Sequence, residues 1–402
     1  MSHLQRAWAK SKVELISAEP FMELDEEEND GETSDIVPNI SEKGDDDSSS
    51  TSSVSSTSTV IPKPSQSLFA RPQGVSRSKT LEPIPWTTYF ERELYVESDE
   101  LPGLKFHVYL TSPVGKGPLF VAHHGAGSSG LSFAVVSSEI RNRLPSAGIL
   151  AVDCRDHGST VSPEGTELDL RLATLSGDLH HVILSTQKHM GWPQMPPIVL
   201  VGHSLGGAVV TDLAQRGTLG NTLLGYAVLD VVEGSAIDAL KSMQAYLSKR
   251  PGGFSSVETA VEWHVRSRTI RNVVSARASV PALLRQDETI DPARSWRWRT
   301  NLAATQAFWE GWFVGLSKKF LSAKGGKLLL LAGTDRLDTE LTIGQMQGKY
   351  TLQVLADAGH FLHEDSPEQT AAFLCEFYKR NDRSLLVLPP KMSDMLKKGQ
   401  KV

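Results

Sequence analysis

Strand-like apolar runs alternate with longer helix-like stretches from Trp86 onward, and this alternation predicts a mainly parallel central sheet flanked by helices. The apolar runs that indicate strands cover residues 90–96, 105–111, 119–123, 148–153, 197–201, 225–229, 327–332 and 350–355. The first two runs are expected to form an antiparallel edge. The pattern therefore predicts an α/β fold.

A long stretch of mostly helical pattern, from about residue 235 to 320, interrupts the series of strands. In that position it would lie as a cap over the carboxyl ends of the strands, where open α/β sheets bind ligands. Five tryptophans fall inside it, at Trp263, Trp296, Trp298, Trp309 and Trp312. Core packing is the expected role of most of them, because tryptophan is largely buried in folded proteins. The alternative for one or two is to line a peptide-binding groove.

The two ends of the chain differ in composition from its middle. Residues 23–35 are rich in Glu and Asp, and residues 41–59 are mostly Ser, Thr and Asp. Such a segment buries too little apolar surface to offset its conformational entropy, so residues 1–80 are expected to form a disordered acidic tail. Residues 386–402 are expected to form a flexible basic tail. The folded domain is therefore predicted at residues 81–385.

Charge, cysteine content and apolar segment length limit the partners and the cellular compartment of the protein. The net charge is -6 for 402 residues, and much of it lies in the acidic tail, so the folded part lacks the basic surface that nucleic acid requires. The two cysteines exclude a disulfide framework and fit a reducing compartment. No segment has the ~20 apolar residues of a membrane helix or the apolar core of a signal peptide. We expect a cytoplasmic and/or nuclear protein with neither nucleic acid nor membrane as partner.

The most informative motif is Gly202-His203-Ser204-Leu205-Gly206, which lies between the apolar run at 197–201 and a helix-like run at 208–214. A strand, a sharp turn and a helix are the context in which G-x-S-x-G presents a nucleophilic serine. The flanking glycines lack Cβ, so the backbone is able to form the strained turn that exposes the hydroxyl. Ser204 is therefore the predicted nucleophile, against the alternative of a glycine-serine turn without chemistry.

A second loop supplies candidate donors for an oxyanion. The buried strand at 119–123 runs into His124-Gly125-Ala126-Gly127, the position at which the α/β-hydrolase fold places one backbone amide of its oxyanion hole. The backbone amide of Leu205, directly after the serine, is the other. Glycine-richer loops are usual here, but Ala126 is able to donate its N–H provided that its backbone angles are allowed ones.

The general base is expected in the loop after the last strand, where Gly359-His360 follows the run at 350–355. An imidazole with a pKa near 6.5 suits proton transfer near neutrality, so His360 is the predicted base. The nearby His363 is expected to be structural. Another histidine, His157, lies in the turn Cys154-Arg155-Asp156-His157-Gly158 and is also expected to be structural rather than catalytic.

A serine nucleophile and a histidine base usually act with an acidic residue as a catalytic triad. The residues alone do not decide which aspartate is that acid. In most α/β-hydrolases the acid follows the second strand after the nucleophile, which favours Asp335 in Gly333-Thr334-Asp335. Asp230, one strand earlier, is the known alternative position for the same role. Substitution of each aspartate by asparagine distinguishes the two assignments.

A longer stretch carries a more specific resemblance. The run from Leu229 to Leu240, Leu-Asp-Val-Val-Glu-Gly-Ser-Ala-Ile-Asp-Ala-Leu, together with Ser242-Met243-Gln244, Arg250-Pro251, Glu262-Trp263, Ile270-Arg271-Asn272 and Ser275-Ala276-Arg277, closely resembles the protein phosphatase methylesterases. These proteins are α/β-hydrolases with a helical cap. The resemblance covers residues from about 81 to 380 and leaves the acidic tail outside.

The resemblance implies the activity and the acid. Members of this family remove the methyl ester from the carboxy-terminal leucine of the protein phosphatase 2A catalytic subunit, with a serine, aspartate and histidine triad and without a cofactor or metal. Matched by position, the triad is Ser204, Asp230 and His360. Two rivals remain: a small-molecule carboxylesterase or lipase, for which the same motifs suffice, and a non-catalytic binding protein on a hydrolase scaffold.

Overall fold

An eight-stranded sheet in the order β1-β2-β4-β3-β5-β6-β9-β10 organises the computed structural model, which describes residues 81–289, 291–333 and 337–382. Its strands are β1 Arg92–Glu97, β2 Lys105–Thr111, β3 Leu119–His123, β4 Gly148–Val152, β5 Ile198–His203, β6 Leu223–Leu229, β9 Gly326–Leu331 and β10 Thr351–Val354; a separate pair is formed by β7 Leu284–Gln286 and β8 Trp296–Trp298. The predicted tails, 1–80 and 386–402, lie outside the described residues, as does Asp335.

Strand direction places the functional loops at one edge of the sheet. β1 pairs antiparallel with β2, and β2 pairs antiparallel with β4. The remaining pairs, from β4 to β10, are parallel. The predicted antiparallel edge is therefore confirmed, and the loops that follow β3, β5, β6 and β10 all leave the sheet at the carboxyl ends of their strands. Every residue of β3, β4 and β5 is buried, as expected for parallel strands covered on both faces.

Helices cover both faces of this sheet. The α-helices are α1 Ala134–Arg143, α2 Leu172–His189, α3 Leu205–Arg216, α4 Glu233–Ser248, α5 Val257–Arg266, α6 Val273–Ser279, α7 Trp309–Phe313, α8 Leu316–Ser322, α9 Thr339–Met346, α10 Leu362–Asp365 and α11 Pro367–Asn381. One face packs against α1 and α11. The other packs against α2, α3, α7 and α8. The α/β-hydrolase fold class is confirmed by this layering.

The insertion between β6 and β9 has its own small hydrophobic core, built around Phe254, Val261 and Ile270, with Trp263, Trp296 and Trp298 partly buried against it. Trp309 and Trp312 instead belong to the main core, 5% and 2% exposed. The prediction of a mostly helical insertion is incomplete, because β7 and β8 form an antiparallel pair within it. The alternation of apolar and charged residues in β8, Trp296-Arg297-Trp298, extends over only three residues, which is too few to predict a strand.

The predicted strands coincide with the observed ones to within a few residues, and β2 and β3 have the predicted bounds. β1 begins at Arg92 rather than Phe90 because the Phe90 N–H donates to the Trp86 carbonyl and closes a turn ahead of the strand. Within the described ranges, no helix has both the length and the apolar character needed to cross a membrane.

Candidate active site

Ser204 occupies a strained turn between β5 and α3. Its φ of 52° and ψ of -118° lie in a region that non-glycine residues rarely adopt, and its N–H donates to the Leu229 carbonyl of the adjacent strand at 3.0 Å. The strain is held by the surrounding sheet, and it leaves the Ser204 side chain partly exposed at the edge of the sheet. This is the geometry expected for a nucleophile between a strand and a helix.

The glycines on either side are required by close approach. A Cβ at Gly202 would lie 2.1 Å from the Gly206 carbonyl oxygen, and a Cβ at Gly206 would lie 2.0 Å from the His123 carbonyl oxygen. Both distances are far below van der Waals contact. The positive φ of the turn is that of Ser204, so the glycines act by close approach: Gly202 lets β5 lie directly against the start of α3, and Gly206 lets α3 start directly against β3.

Asp230 and His360 are in direct contact. His360 Nδ1 lies 2.8 Å from Asp230 Oδ2, and Asp230 Oδ1 accepts the Ala332 N–H at 2.9 Å. The Asp230 side chain is fully buried, whereas that of His360 is 48% exposed. A carboxylate that accepts from Nδ1 fixes the tautomer in which Nε2 is the basic nitrogen.

His203 connects this pair to Ser204, the predicted nucleophile. Its Nε2 donates to the His360 carbonyl at 2.8 Å, and the two rings are 4.7 Å apart between centroids. Ser204 is the next residue along the chain. Within the described part of the chain, no hydrogen bond joins the Ser204 hydroxyl to His360, as is common for catalytic pairs without substrate.

A clamp from the cap holds the loop that carries His360. The carboxylate of Asp365 accepts the Gly359 N–H and the Arg271 N–H, each at 2.7 Å. The Arg271 guanidinium also donates to the Asp357 carbonyl. No role was predicted for these positioning residues, although Arg271 lies in the motif Ile270-Arg271-Asn272 and Asp365 lies five residues after the predicted base. The cap therefore contacts the base loop, the segment after β10 that carries His360, through specific polar groups.

Two serines of α6 add to that clamp. Ser275 Oγ donates to the Glu364 carbonyl at 2.7 Å, and Ser279 Oγ lies against the Glu364 carboxyl group. Burial raises the pKa of Glu364 well above its ordinary value. His363 is fully buried and stacks on Phe133 at 4.6 Å between centroids, in agreement with the structural role expected for it.

The loop after β3 lies against Ser204. A Cβ at Gly125 would be 3.1 Å from the Ser204 Cβ. In this loop the positive φ of 74° belongs to Gly127, whereas Ala126 is not among the residues with positive φ. Alanine is therefore compatible with its position. Among the described residues, neither the Ala126 N–H nor the Leu205 N–H donates to a protein acceptor, so both are available to an oxyanion.

The histidines around the site are neutral at pH 7. Burial lowers the pKa of His123 to about 4 and that of His124 to about 3. It also lowers the pKa of His363 to about 3 and that of His203 well below its usual value. Neutral neighbours add no positive charge next to the Asp230–His360 pair. No cluster of three or more metal-binding side chains occurs in the described ranges.

Comparison with known proteins gives the family of this chain. A family model described as the alpha/beta hydrolase family matches residues 119–373. A Gibberella zeae protein named Protein phosphatase methylesterase 1 is 66% identical, with 100% of each chain covered. Proteins of the same name from Neurospora crassa and Schizosaccharomyces pombe are 57% and 46% identical, over 100% and 76% of this chain and 100% and 87% of theirs. The chain belongs to the protein phosphatase methylesterase family of α/β-hydrolases.

More distant solved structures share the fold. E-2-(acetamidomethylene)succinate hydrolase superposes with a TM-score of 0.55 at 20% identity, over 72% of this chain and 99% of its own. A thioesterase domain from the curacin biosynthetic pathway gives 0.51 at 18% identity, over 70% and 98%. At these identities the likeness concerns the fold alone. The family assignment establishes the chain as a hydrolase with an esterase function.

Proposed function

We propose that this chain is a serine-dependent carboxylesterase that removes the methyl ester from the carboxy-terminal leucine of the protein phosphatase 2A catalytic subunit. The observation that carries the mechanism is the 2.8 Å contact between His360 Nδ1 and the buried Asp230, beside a strained Ser204. The substrate class is supported by the names of the relatives and by the cap motif from Leu229 to Leu240.

The first half of the cycle forms an acyl enzyme. Ser204 Oγ attacks the ester carbonyl carbon while His360 Nε2 accepts the hydroxyl proton. Asp230 stabilises the imidazolium that results. The Ala126 and Leu205 amides donate to the carbonyl oxygen as it becomes negative, and one such donor typically contributes ~3 to 4 kcal/mol to the transition state. The bond to the methoxy oxygen then breaks, and His360 gives its proton to the departing methanol.

The second half releases the free acid. Water attacks the acyl carbon, and His360 accepts a proton from that water. The tetrahedral intermediate collapses, the bond to Ser204 Oγ breaks, and the proton on His360 returns to the serine. The product is the carboxylic acid of the leucine, which loses its proton to solvent and leaves as the carboxylate.

A substrate that is the end of another folded protein needs an approach for an extended peptide. We propose that the cap, residues 235–320, supplies both that approach and the surface on which the phosphatase rests. Leu302 of the cap lies against Gly127 of the oxyanion loop, because a Cβ at Gly127 would be 2.6 Å from Leu302 Cδ1. The cap thus reaches the edge of the proposed reaction centre.

The decisive experiment follows methanol release from carboxymethylated phosphatase. Wild type is expected to turn over, and Ser204→Ala to lose turnover by several orders of magnitude. Near-normal methanol release by Ser204→Ala would refute the serine mechanism. Hydrolysis of short p-nitrophenyl esters without action on the methylated phosphatase would favour the small-molecule esterase instead. Failure of Ser204 to react with a fluorophosphonate probe would favour the binding protein.

A further inference from the structure

Two buried histidines connect the oxyanion loop to the turn that follows β4. His124 Nδ1 lies 2.7 Å from the Gly125 carbonyl oxygen, and its Nε2 accepts the Cys154 N–H at 3.1 Å. His157 Nε2 accepts the Gly127 N–H at 2.9 Å. Its Nδ1 lies 2.9 Å from the Arg155 carbonyl oxygen and 3.2 Å from the Cys154 thiol.

These contacts define the tautomer of both rings. A backbone carbonyl only accepts and a backbone N–H only donates, so each ring must carry its proton on Nδ1 and present a bare Nε2. The rings lie 5.2 Å apart between centroids and are both fully buried. Burial lowers the pKa of each, which keeps Nε2 unprotonated and able to accept.

Each ring makes one hydrogen bond to a peptide group next to Ala126: His124 to the preceding peptide and His157 to the following one. The Gly125 oxygen, in the preceding peptide, accepts from His124 and from the Ser128 N–H at 3.1 Å. In a planar trans peptide the N–H points opposite to the C=O, so fixing the Gly125 oxygen also fixes the direction of the Ala126 N–H. The following peptide is fixed at its Gly127 N–H by His157.

We propose that His157 is a positioning residue for the oxyanion hole: by accepting the Gly127 N–H it fixes the peptide that follows Ala126. With the preceding peptide held through the Gly125 oxygen, this keeps the Ala126 N–H in the direction that meets the substrate carbonyl oxygen. The proposal rests on the proposed serine mechanism, in which Ala126 is an oxyanion donor. His157 does not touch the substrate. The sequence predicted a structural role for His157, and the proposal adds an effect on the reaction rate.

The test compares the rate of fluorophosphonate labelling of Ser204 in wild type, His157→Leu and His157→Gln. The leucine variant fills similar space without an acceptor and is expected to label roughly 10- to 100-fold more slowly, because a displaced donor loses most of its transition-state stabilisation. The glutamine variant retains an acceptor oxygen and is expected to recover most of the rate. With methylated phosphatase as substrate, the leucine variant should lower kcat and leave KM unchanged.

The matched control is Tyr226→Phe, which removes a buried side-chain hydrogen bond to the Phe320 backbone carbonyl, at a position in β6 that lies four residues before Asp230. It is expected to lower the melting temperature and leave the labelling rate unchanged. A folded His157→Leu that labels at the wild-type rate would overturn the proposal, as would a glutamine variant as slow as the leucine one. If Ser204→Ala still labels or turns over, the proposed function itself has failed, which is a separate outcome.

Folding of the variants is measured by thermal unfolding. Should His157→Leu not fold, His157→Met replaces it, since a thioether fills the space but accepts hydrogen bonds only weakly. If neither folds while the glutamine variant does, an acceptor at position 157 is needed for folding, and the proposed role in positioning is refuted.

Discussion

Gly206→Ala is expected to damage the active site from a position that touches no substrate. The new Cβ would lie 2.0 Å from the His123 carbonyl oxygen and 2.7 Å from that of His124. Cβ contacts under 3.0 Å essentially never occur, so the start of α3 and the end of β3 must separate by at least about 1 Å. The two proposed oxyanion amides lie on these two segments, Leu205 on α3 and Ala126 after β3.

A misplacement of about 1 Å in a reacting group typically costs on the order of 100-fold in rate, and overpacking a core costs about 1 to 3 kcal/mol of stability. We therefore expect kcat for methanol release to fall about 100-fold and the melting temperature to fall as well. The matched control is Gly177→Ala, on an exposed face of α2 where the new Cβ meets nothing within 4 Å. That variant should keep wild-type turnover and gain stability slightly, because alanine favours helix. A folded Gly206→Ala with undiminished kcat would refute the reasoning.

Three further outcomes follow from the site. Asp230→Asn should lose about 10⁴-fold in kcat while remaining folded, because the carboxylate no longer stabilises the imidazolium; methanol release measures it. Arg271→Ala should lower kcat about tenfold with little change in KM, because the Asp357 carbonyl loses its donor and the base loop loosens; steady-state kinetics measure the split. Because the folded-state pKa values of His123 and His124, about 4 and about 3, lie below the unfolded value near 6.5, their stabilisation is complete above pH 6.5. As the pH falls from 6.5 towards 4, each should remove up to about 1.4 kcal/mol of unfolding free energy per pH unit, seen as a falling urea midpoint.

Exposed charges provide the controls for these variants. Asp238→Asn and Arg266→Ala each remove a charge from a solvent-exposed helical ion pair and should leave kcat unchanged. Equal losses in Arg271→Ala and Arg266→Ala would contradict the clamp. If Asp335→Asn lost turnover and Asp230→Asn did not, the acid would be Asp335. A urea midpoint that is the same at pH 7 and pH 5 would contradict the contribution of the buried histidines.

Regular parts of the fold were predictable because each depends on a local pattern. The fully apolar runs of β3, β4 and β5 reflect burial on both faces, and the motif around Ser204 reflects a backbone approach that only glycine permits at Gly206. These constraints act between residues close in sequence or between neighbouring strands. Sequence alone therefore predicts the features that depend on them.

The clamp and the histidine contacts were not predictable for the opposite reason. Arg271 and Asp365 are far apart in sequence, and so are His157 and Gly127, so no periodicity relates the members of either pair. The cap's strand pair was missed because β7 and β8 are each three residues long, too short to establish alternation. Their positions follow from tertiary packing.

The contact between α6 and the loop after β10 has a consequence for protein engineering. Grafting the cap of another hydrolase onto this sheet would remove Arg271, Ser275 and Ser279 together, and with them the partners of Asp365 and Glu364. Such a chimaera would admit different molecules, and its His360 imidazole would also be held less firmly. Exchange of specificity in this scaffold therefore requires that the cap and the histidine loop be transplanted as a single unit.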